Sequence, residues 1–215
     1  MKVSILIPTK DEPYVNQLVA DIHQKMKAVD HEVIVIDKSI VPPKLEGAEL
    51  VLQKSKGLGN AVLEGLGHAH GDVIVTMDGD GSHRPDDVLK LLAALENADI
   101  VIGSKFVDGG ETRDQYHRKM ISDAFRALES AVLHIGINDP MSGFAAVRRE
   151  VYDSISLNPL GYKINMEIMY KAKKRGFRIE EVPIVFNPRL AGQSKSNIQE
   201  GLRTLFFIFK LKLGY

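Results

Sequence analysis

Short apolar runs alternate with amphipathic segments along the first half of the chain. The runs are rich in Val and Ile and have the length of buried strands; they cover residues 3–7, 31–37, 50–52, 73–77 and 99–103. Between them, apolar side chains recur with the helical period, in segments at 13–26, 58–70 and 85–95. Strands that alternate with helices predict a mostly parallel, doubly wound α/β sheet with helices on both faces.

The second half of the chain continues this pattern less regularly. Helices are predicted over 113–134, 163–175 and 198–215, and strands over 145–147 and 178–186. Pro183 interrupts the second of these strands and indicates that it lies at the edge of the sheet. Asn197 is placed to cap the final helix. We therefore expect one α/β domain over 1–196 and a C-terminal amphipathic helix over 197–215.

The final helix carries apolar residues on more than one face. At about 100° per residue, one stripe is expected to pack on the sheet domain, and it consists of Leu202, Leu205, Phe206, Phe209 and Leu213. A second apolar set is expected to be exposed, and it consists of Phe207, Ile208 and Leu211 near Arg203 and Lys210. An exposed apolar patch with basic neighbours suits the surface of an anionic membrane, and contact with another protein explains it equally well.

Composition excludes several classes of protein. Lys and Arg number 28 and Asp and Glu 28, so no positive excess points to nucleic acid. The chain contains no cysteine and hence no disulfide, which fits a reducing compartment. No apolar run approaches the roughly 20 residues of a membrane-spanning helix, and the first run is too short for a signal peptide. These features predict a cytoplasmic protein that is soluble or bound peripherally to a membrane.

Two carboxylates directly follow the strand at 73–77. Asp78 and Asp80 are spaced i, i+2 and point the same way from an extended chain, at a strand end where open α/β sheets bind ligands. Gly79 and Gly81 allow a tight turn and the close approach of a ligand. Hard oxygen ligands suit Mg²⁺ or Mn²⁺, with water and substrate phosphates completing the coordination. The alternative is an ordinary Asp-Gly turn.

Polar residues stand at three other element ends. Asp37 ends the second strand, where an acidic side chain either holds a ribose or base or caps the strand. Lys56 precedes the glycine-rich turn at 57–59, which opens a helix and is a weak signal for phosphate. His83 follows the two aspartates and is either a ligand or a cap of the next helix.

Motifs along nearly the whole chain together resemble family-2 glycosyltransferases of the GT-A fold. Within that family they are most similar to the dolichyl-phosphate mannose synthase and polyprenyl-phosphate glycosyltransferase group. The matching segments are 8–12 (PTYNE in the family), 37–39 (within VDDxS), 56–59 (KxGLG), 71–83 (GDxIxxMDADxSH), 103–110 (GSRYVxGG), 118–122 (RxxIS), 139–144 (DPTSGF) and 189–195 (RxxGxSK). No single motif is decisive, but their shared order along the chain is specific.

The resemblance implies a metal-dependent, inverting sugar transfer, with GDP-mannose as the nucleotide-diphospho-sugar donor and a polyprenyl or dolichyl phosphate as the acceptor. It implies that the nucleotide is bound by Pro8, Thr9, Glu12, Asp37, Lys56, Asp78 and Gly79, and that Mg²⁺ or Mn²⁺ is held by Asp78, Asp80 and Ser82. The catalytic residues that it implies are Asp80, Lys105, Arg118, Ser122, Arg189 and Lys195. Among these, Lys105, Arg118 and Ser122 would hold the acceptor phosphate. Arg189 and Lys195 would close over the diphosphate. Such an enzyme works at the cytoplasmic face of a membrane, on its surface or on a membrane-anchored partner subunit.

The chain departs from the family pattern in ways that leave alternatives open. Lys10 and Asp11 replace Tyr-Asn, Lys38 replaces an acid, and Lys105 replaces an arginine, whose planar fork binds phosphate through two bonds. A UDP-sugar donor or a hydroxyl acceptor is therefore the alternative, and Asp139 is the candidate base for a hydroxyl.

Two rival functions share these motifs in part. A nucleotidyltransferase would need a basic glycine-rich loop directly after the first strand, and residues 8–11 do not form one. A non-catalytic sugar-nucleotide-binding protein would not need both Asp78 and Asp80, which this chain has.

Overall fold

The computed structural model describes residues 1–112, 132–158, 164–189 and 198–213 and has the predicted alternation of strands and helices. The strands are β1 Val3–Thr9, β2 His31–Asp37, β3 Glu49–Leu52, β4 Val73–Thr76, β5 Ile100–Ser104, β6 Glu111–Thr112, β7 Ala145–Arg148, β8 Ile179–Pro183 and β9 Val185–Phe186. The helices are α1 Val15–Lys25, α2 Leu58–Leu66, α3 Pro85–Ala94, α4 Arg149–Ser154, α5 Ile164–Lys174 and α6 Ile198–Leu213.

One mixed sheet with the strand order β3-β2-β1-β4-β7-β5-β8 forms the centre of the fold. β2, β1 and β4 are parallel, with Val3 opposite both His31 and Val73. Their carboxyl ends therefore meet at one edge of the sheet. β7 runs antiparallel between β4 and β5, with Ala145 opposite Thr76, so the turn before β7 reaches the same edge.

Side chains that alternate along the strands fill two hydrophobic cores, one on each face of the sheet. Ile5 and its neighbours on one face pack with α1 and α3, whose buried residues include Leu18 and Leu91. Leu6 and its neighbours on the other face belong to a core that includes Val62 of α2 and Ile168 of α5. The prediction of helices on both faces of a mostly parallel sheet is confirmed.

Glu32 stabilises the amino end of the sheet through hydrogen bonds. Its carboxylate accepts hydrogen bonds from Lys2 Nζ at 2.5 Å, from Ser4 Oγ at 2.6 Å and from the main-chain N–H of His70 at 2.6 Å. Burial alone raises the pKa of Glu32, but these donors outweigh that effect and lower the pKa from 4.5 to about 2. Glu32 thereby joins β1, β2 and the segment that leads into β4.

Several predicted elements differ in the structure. The strand predicted over 178–186 is two strands, because the chain leaves the large sheet after Pro183, which has no N–H to continue the ladder. β8 does lie at the sheet edge, as predicted, whereas β9 pairs with β6 in a separate ribbon. β6 and α4 were not expected, and α2 ends at Leu66 rather than near residue 70. Most of the helix predicted over 113–134, and the cap Asn197, lie outside the described residues.

The predicted orientation of the C-terminal helix is wrong. Phe207, Ile208 and Leu211 are buried in the same core as α2 and α5, whereas Phe206, Phe209 and Leu213 are exposed. Both sets have helical spacing, so amphipathicity alone does not choose between them. The set that packs continues through Thr204, which is also buried and lies one turn before Ile208. In the described part of the chain, no helix has the length and apolar character needed to cross a membrane.

Candidate active site

The carboxyl ends of β1 and β2 are tied together by Asp37. Its buried carboxylate accepts hydrogen bonds from Thr9 Oγ1 at 2.8 Å, from Ser39 Oγ at 2.8 Å and from the Ser39 N–H at 2.9 Å. These contacts make Asp37 a cap of the strand end, which is one of the two readings that the sequence left open. Contact of Asp37 with a nucleoside stays a prediction.

Asp78 and Asp80 lie in the turn after β4 with different surroundings. Asp80 is buried, and one of its carboxylate oxygens accepts hydrogen bonds from the Ser82 hydroxyl at 2.6 Å and the Ser82 N–H at 3.0 Å. The Asp78 side chain is 30% exposed. Gly79 makes this turn possible, since a Cβ there would lie 2.6 Å from Thr9 Cγ2. Ser82 is fully buried and holds Asp80 in place through its hydroxyl.

Arg189 pairs with Asp80 across the end of the sheet. The arginine Nε lies 3.0 Å from Asp80 Oδ2, on the carboxylate oxygen that Ser82 leaves free. Arg189 also borders a cleft of about 490 Å³, which is lined by Tyr14, Gly81, His83, Arg84, Pro85, Asn187, Pro188 and Arg189. The structure thus brings a predicted metal ligand and a predicted diphosphate-binding residue into direct contact.

His83 supports the turn from beneath. Its ring stacks on Phe144 at 4.8 Å and meets the edge of Phe186 at 5.4 Å, and its Nδ1 accepts the main-chain N–H of Asp78 at 3.3 Å. Burial lowers the pKa of His83, and the nearby carboxylates of Asp78 and Asp80 oppose this only in part. A neutral, stacked imidazole with this hydrogen bond is a structural support of the Asp78 backbone.

Lys105 extends the charged cluster on the β5 side. Its Nζ lies 3.8 Å from Asp139 Oδ2 and 4.6 Å from the centre of the Phe186 ring, and its side chain is 21% exposed. Asp139 is buried, and its own N–H donates to Glu181 at 2.8 Å. Lys105 and Asp139 both act electrostatically on His83, as do the two aspartates of the turn. An ammonium held here by a carboxylate and an aromatic face suits an anionic ligand.

The other predicted site residues show fewer contacts with the Asp78–Asp80 turn. Pro8 borders a small cavity beside Asp78, Glu12 is half-buried, and Lys56 is exposed just before the turn of Gly57. Gly57 has a φ of 91°, a conformation that favours glycine at this start of α2. Arg118, Ser122 and Lys195 lie outside the described residues.

Several residues at the site were missed by the sequence analysis. Tyr14 and Arg84 line the large cleft, and Asn165 of α5 lies beside Asp78 in the small cavity. Arg84 adjoins the motif that ends at His83 and could have been noticed from that position. No local pattern marks Asn165, because its neighbours at the site come from β4 and from the turn before β7.

The donor set of the turn fits a hard divalent cation. Two carboxylates stand at one strand end, and the buried one is already matched by a cation, the guanidinium of Arg189, at 3.0 Å. Among the described residues, no group of three or more His, Asp or Glu side chains could hold a metal ion unaided. Mg²⁺ commonly binds to one or two carboxylates and completes its coordination with water and substrate phosphates. Asp78 and Asp80 therefore suit a cation that arrives with a phosphorylated ligand.

Known proteins are similar to this chain along most of its length. The profile of the family "Glycosyl transferase family 2" matches residues 4–156. The chain is 37% identical to a dolichol-phosphate mannosyltransferase of Pyrococcus furiosus, over 98% of this chain and 64% of the relative. It is 39% identical to a polyprenol monophosphomannose synthase of Mycolicibacterium smegmatis, over 68% of this chain and 59% of the relative. The chain thus spans about 60% of the length of these curated relatives.

Solved structures show the same fold at lower identity. A glucosyl-3-phosphoglycerate synthase from Mycobacterium tuberculosis, in complex with Mn²⁺, uridine diphosphate and phosphoglyceric acid, has a TM-score of 0.77 and 21% identity, over 99% of this chain and 78% of that one. A complex of the same synthase with Mg²⁺ and uridine diphosphate has a TM-score of 0.75. The resemblance stated from the motifs is confirmed. The chain belongs to glycosyl transferase family 2 and has the GT-A fold.

Proposed function

We propose that this protein transfers a sugar, mannose from GDP-mannose, to a polyprenyl phosphate. The observation that carries the proposal is the ion pair of Asp80 and Arg189, 3.0 Å apart at the carboxyl edge of the sheet, where Arg189 also lines the cleft. A carboxylate for a cation and a guanidinium for a diphosphate are the two groups that a nucleotide-diphospho-sugar requires. The names of the relatives, which are mannosyltransferases acting on dolichol or other polyprenol phosphates, support the choice of sugar and acceptor.

The residues of the chain divide the work between donor and acceptor. Asp78 and Asp80 would hold Mg²⁺ or Mn²⁺, which when bound acts as a Lewis acid and offsets the negative charge that develops on the leaving diphosphate. The guanidinium of Arg189 leaves Asp80 and binds the diphosphate. Lys105 binds the acceptor phosphate. Pro8, Thr9, Glu12, Asp37, Lys56 and Gly79 form the surroundings of the nucleoside. Arg118, Ser122 and Lys195 complete the two phosphate sites in this proposal.

The acceptor needs no strong base in this reaction. An ionised phosphate is already a nucleophile, so positioning and charge compensation supply most of the rate. Asp139, the candidate base for a hydroxyl acceptor, lies 3.8 Å from the ammonium of Lys105 and is buried, which suits the anchoring of that lysine better than proton transfer. These contacts favour a phosphate acceptor.

A second donor, a UDP-sugar, is supported by the structural neighbours. The M. tuberculosis synthase is seen with uridine diphosphate and with uridine-diphosphate-glucose. Its identity to this chain is 21%, against 37% for the dolichol-phosphate mannosyltransferase. GDP-mannose is therefore the first donor to test and UDP-glucose the second.

The proposed reaction is tested by transfer of labelled sugar to a polyprenyl phosphate with Mn²⁺. GDP-mannose and UDP-glucose are compared as donors, with and without chelator, for the wild type and for Asp80→Ala. We expect Asp80→Ala to lose transfer by at least a hundredfold while the protein stays folded, because its carboxylate faces a cation rather than the core. Asp72→Ala, at the exposed amino end of the same strand, is the matched control.

Full turnover by folded Asp80→Ala at saturating donor would refute the assignment of the metal and reaction. Binding of nucleotide without transfer to any acceptor or water would instead favour the sugar-nucleotide-binding alternative.

The exposed row of α6 is proposed to dock on an anionic membrane. Phe206, Phe209 and Leu213 are 65%, 51% and 73% exposed, and Lys212 lies exposed beside them. Apolar and basic side chains together suit a lipid surface, where a polyprenyl phosphate resides. This is the opposite row to the one expected from the sequence.

Co-sedimentation with anionic vesicles tests the docking surface. We expect the wild type to pellet, and Phe206→Ser/Phe209→Ser/Leu213→Ser to remain in the supernatant. Ile40→Ser/Val41→Ser, an exposed apolar pair in the loop after β2, controls for general hydrophobicity and should still pellet. Equal behaviour of the wild type and the triple variant would refute membrane docking, and concentration-dependent dimerisation lost in the triple variant would assign the row to a second copy.

A further inference from the structure

A small cavity lies beneath the turn of Asp78, on the side of the sheet that α2 and α5 cover. It is bordered by Pro8, Leu58, Asp78, Gly143 and Asn165, among others, and its volume is about 10 Å³. A cavity of this size is about large enough for the centre of one water molecule. It is too small for a sugar or a base, and it shares no bordering residue with the cleft of about 490 Å³ at Arg189.

Asn165 contributes a buried acceptor to this cavity. The residue is 5% exposed, and its amide nitrogen donates to the Ser142 carbonyl oxygen at 3.0 Å and to Thr76 Oγ1 at 3.2 Å. The carbonyl of Ser142 can only accept, so these bonds fix which end of the amide is nitrogen. The amide oxygen meets no hydrogen-bond donor in the described part of the chain. A buried oxygen of this kind is unfavourable unless a donor reaches it.

Among the described residues that border this cavity, only Asp78 has an ionisable side chain. Its main-chain N–H is held by His83, and its carboxylate lies over Gly143, where a Cβ would be 3.0 Å from Asp78 Oδ1. A carboxylate and an amide oxygen are both acceptors and cannot bond to each other. The buried Asn165 oxygen therefore needs a donor from outside the chain, and water, whose second hydrogen can be donated to a carboxylate, is the donor that fits the volume.

We propose that the cavity binds one water molecule that donates to Asn165 Oδ1 and to the Asp78 carboxylate, and that Asn165 thereby orients Asp78 for the donor nucleotide and its cation. Asn165 is a positioning residue in this arrangement, since it acts through the water and through Asp78. The second part of the inference rests on the proposed function, because it assigns Asp78 to the donor site. The first part, the bound water, rests on the geometry of the chain alone.

The bound water is tested by a high-resolution crystal structure of the wild type without ligand. We expect density for one water within hydrogen-bond distance of both Asn165 Oδ1 and the Asp78 carboxylate. A structure in which the cavity is dry, or in which the Asn165 oxygen pairs with another protein group, would overturn the proposal. This arm does not depend on any activity, so it decides the inference even if the proposed function fails.

The positioning role is tested by the affinity for GDP in the presence of Mn²⁺, measured by calorimetry. Asn165→Leu keeps the approximate size of the side chain and removes both the acceptor oxygen and the amide donor to Ser142 and Thr76. We expect it to bind Mn²⁺–GDP about tenfold more weakly. Thr76→Val is the matched control: it removes one hydrogen-bond partner of Asn165 but leaves the amide oxygen, and its affinity should stay within about twofold of the wild type. Thermal unfolding of both variants separates an effect on the fold from an effect on the site.

A positioning role and a purely structural role of Asn165 predict different results for the two variants. Loss of GDP affinity in Asn165→Leu alone supports the positioning role. Equal affinity of Asn165→Leu and the wild type, or equal losses in Asn165→Leu and Thr76→Val that follow their loss of stability, would assign Asn165 to the structure alone. If Asn165→Leu does not fold, unchanged GDP affinity in Thr76→Val together with the crystallographic water supports the proposal, and weakened affinity in Thr76→Val overturns it.

Discussion

The ion pair between Arg189 and Asp80 predicts that the cation and the arginine compete for one carboxylate. Arg189 Nε is 3.0 Å from Asp80 Oδ2, whereas the other oxygen of Asp80 is held by Ser82. A cation that binds Asp80 must therefore displace Arg189 or share its oxygen. The displaced guanidinium is then free to bind the diphosphate, so the same arginine opposes the cation alone and favours the cation with nucleotide.

The size of the competition follows from the burial of the pair. The Asp80 side chain is 5% exposed and that of Arg189 36% exposed, so solvent screens the pair in part. A charge-assisted hydrogen bond in such a position contributes about 1 to 2 kcal/mol. Loss of that contribution corresponds to roughly a 5- to 30-fold change in the affinity of a competing cation.

The variant Arg189→Met tests the competition because it keeps the apolar stem and removes the guanidinium. We expect Mn²⁺ alone to bind Arg189→Met roughly 5- to 30-fold more tightly than the wild type. We expect Mn²⁺–GDP, by contrast, to bind more weakly, because the diphosphate loses its arginine. Calorimetric titration of Mn²⁺ with and without GDP measures both effects, and circular dichroism confirms that the variant is folded.

A second variant distinguishes the effect of the Arg189–Asp80 contact from the effect of removing any positive charge from the cleft. Arg84→Met removes a positive charge from the same cleft without breaking a contact to Asp80, since Arg84 lies 3.6 Å from Asp86 instead. We expect it to change Mn²⁺ affinity by less than about threefold. Unchanged or weaker binding of Mn²⁺ alone by Arg189→Met, or equal effects of the two variants, would refute the competition.

Two further predictions concern stability and the position of Asp78. The pKa of Glu32 is about 2 in the folded protein, against an ordinary value of 4.5. The ionised carboxylate therefore stabilises the fold fully above about pH 4.5, and this stabilisation is lost as the pH falls towards 2. Its side chain is 22% exposed; after allowance for screening we expect Glu32→Gln to cost about 2 kcal/mol near pH 7, and chemical denaturation from pH 7 to 3 should show a flatter pH dependence than in the wild type. Gly143→Ala would place a Cβ 3.0 Å from Asp78 Oδ1. We expect it to cost less than about 1 kcal/mol in stability, because the carboxylate can move aside, and to weaken Mn²⁺–GDP binding severalfold. An equal pH slope for Glu32→Gln, or unchanged nucleotide affinity for Gly143→Ala, would contradict the two arguments.

The strands around the site could be predicted from the sequence because their signal is local. A buried parallel strand is a short run of Val and Ile, and the runs before Asp37 and Asp78 have this pattern. The i, i+2 spacing of Asp78 and Asp80 follows from the geometry of an extended chain. The fold class and the edge of the sheet that holds the site were therefore determined by patterns of a few residues each.

The direction of β7 and the division of the strand at Pro183 depended on long-range pairing. β7 lies antiparallel between β4 and β5, and its short apolar sequence does not encode a direction. β9 exists because β6 offers it a partner after the chain leaves the large sheet. Such pairings join segments that are distant in sequence, so no local pattern reports them.

Only the tertiary structure decided which row of α6 is buried and what surrounds the site carboxylates. Two rows on that helix have the spacing of a buried stripe, and packing against the core selected the row of Phe207 and Leu211. Arg189 lies in a loop and Asn165 on a helix, both far along the chain from β4, and the assembly of the whole fold brings them to the Asp78–Asp80 turn. The sequence by itself determined which residues carry charge at the strand ends; the packing of distant elements determined their partners, because a side chain's neighbours in space are set by the complete fold.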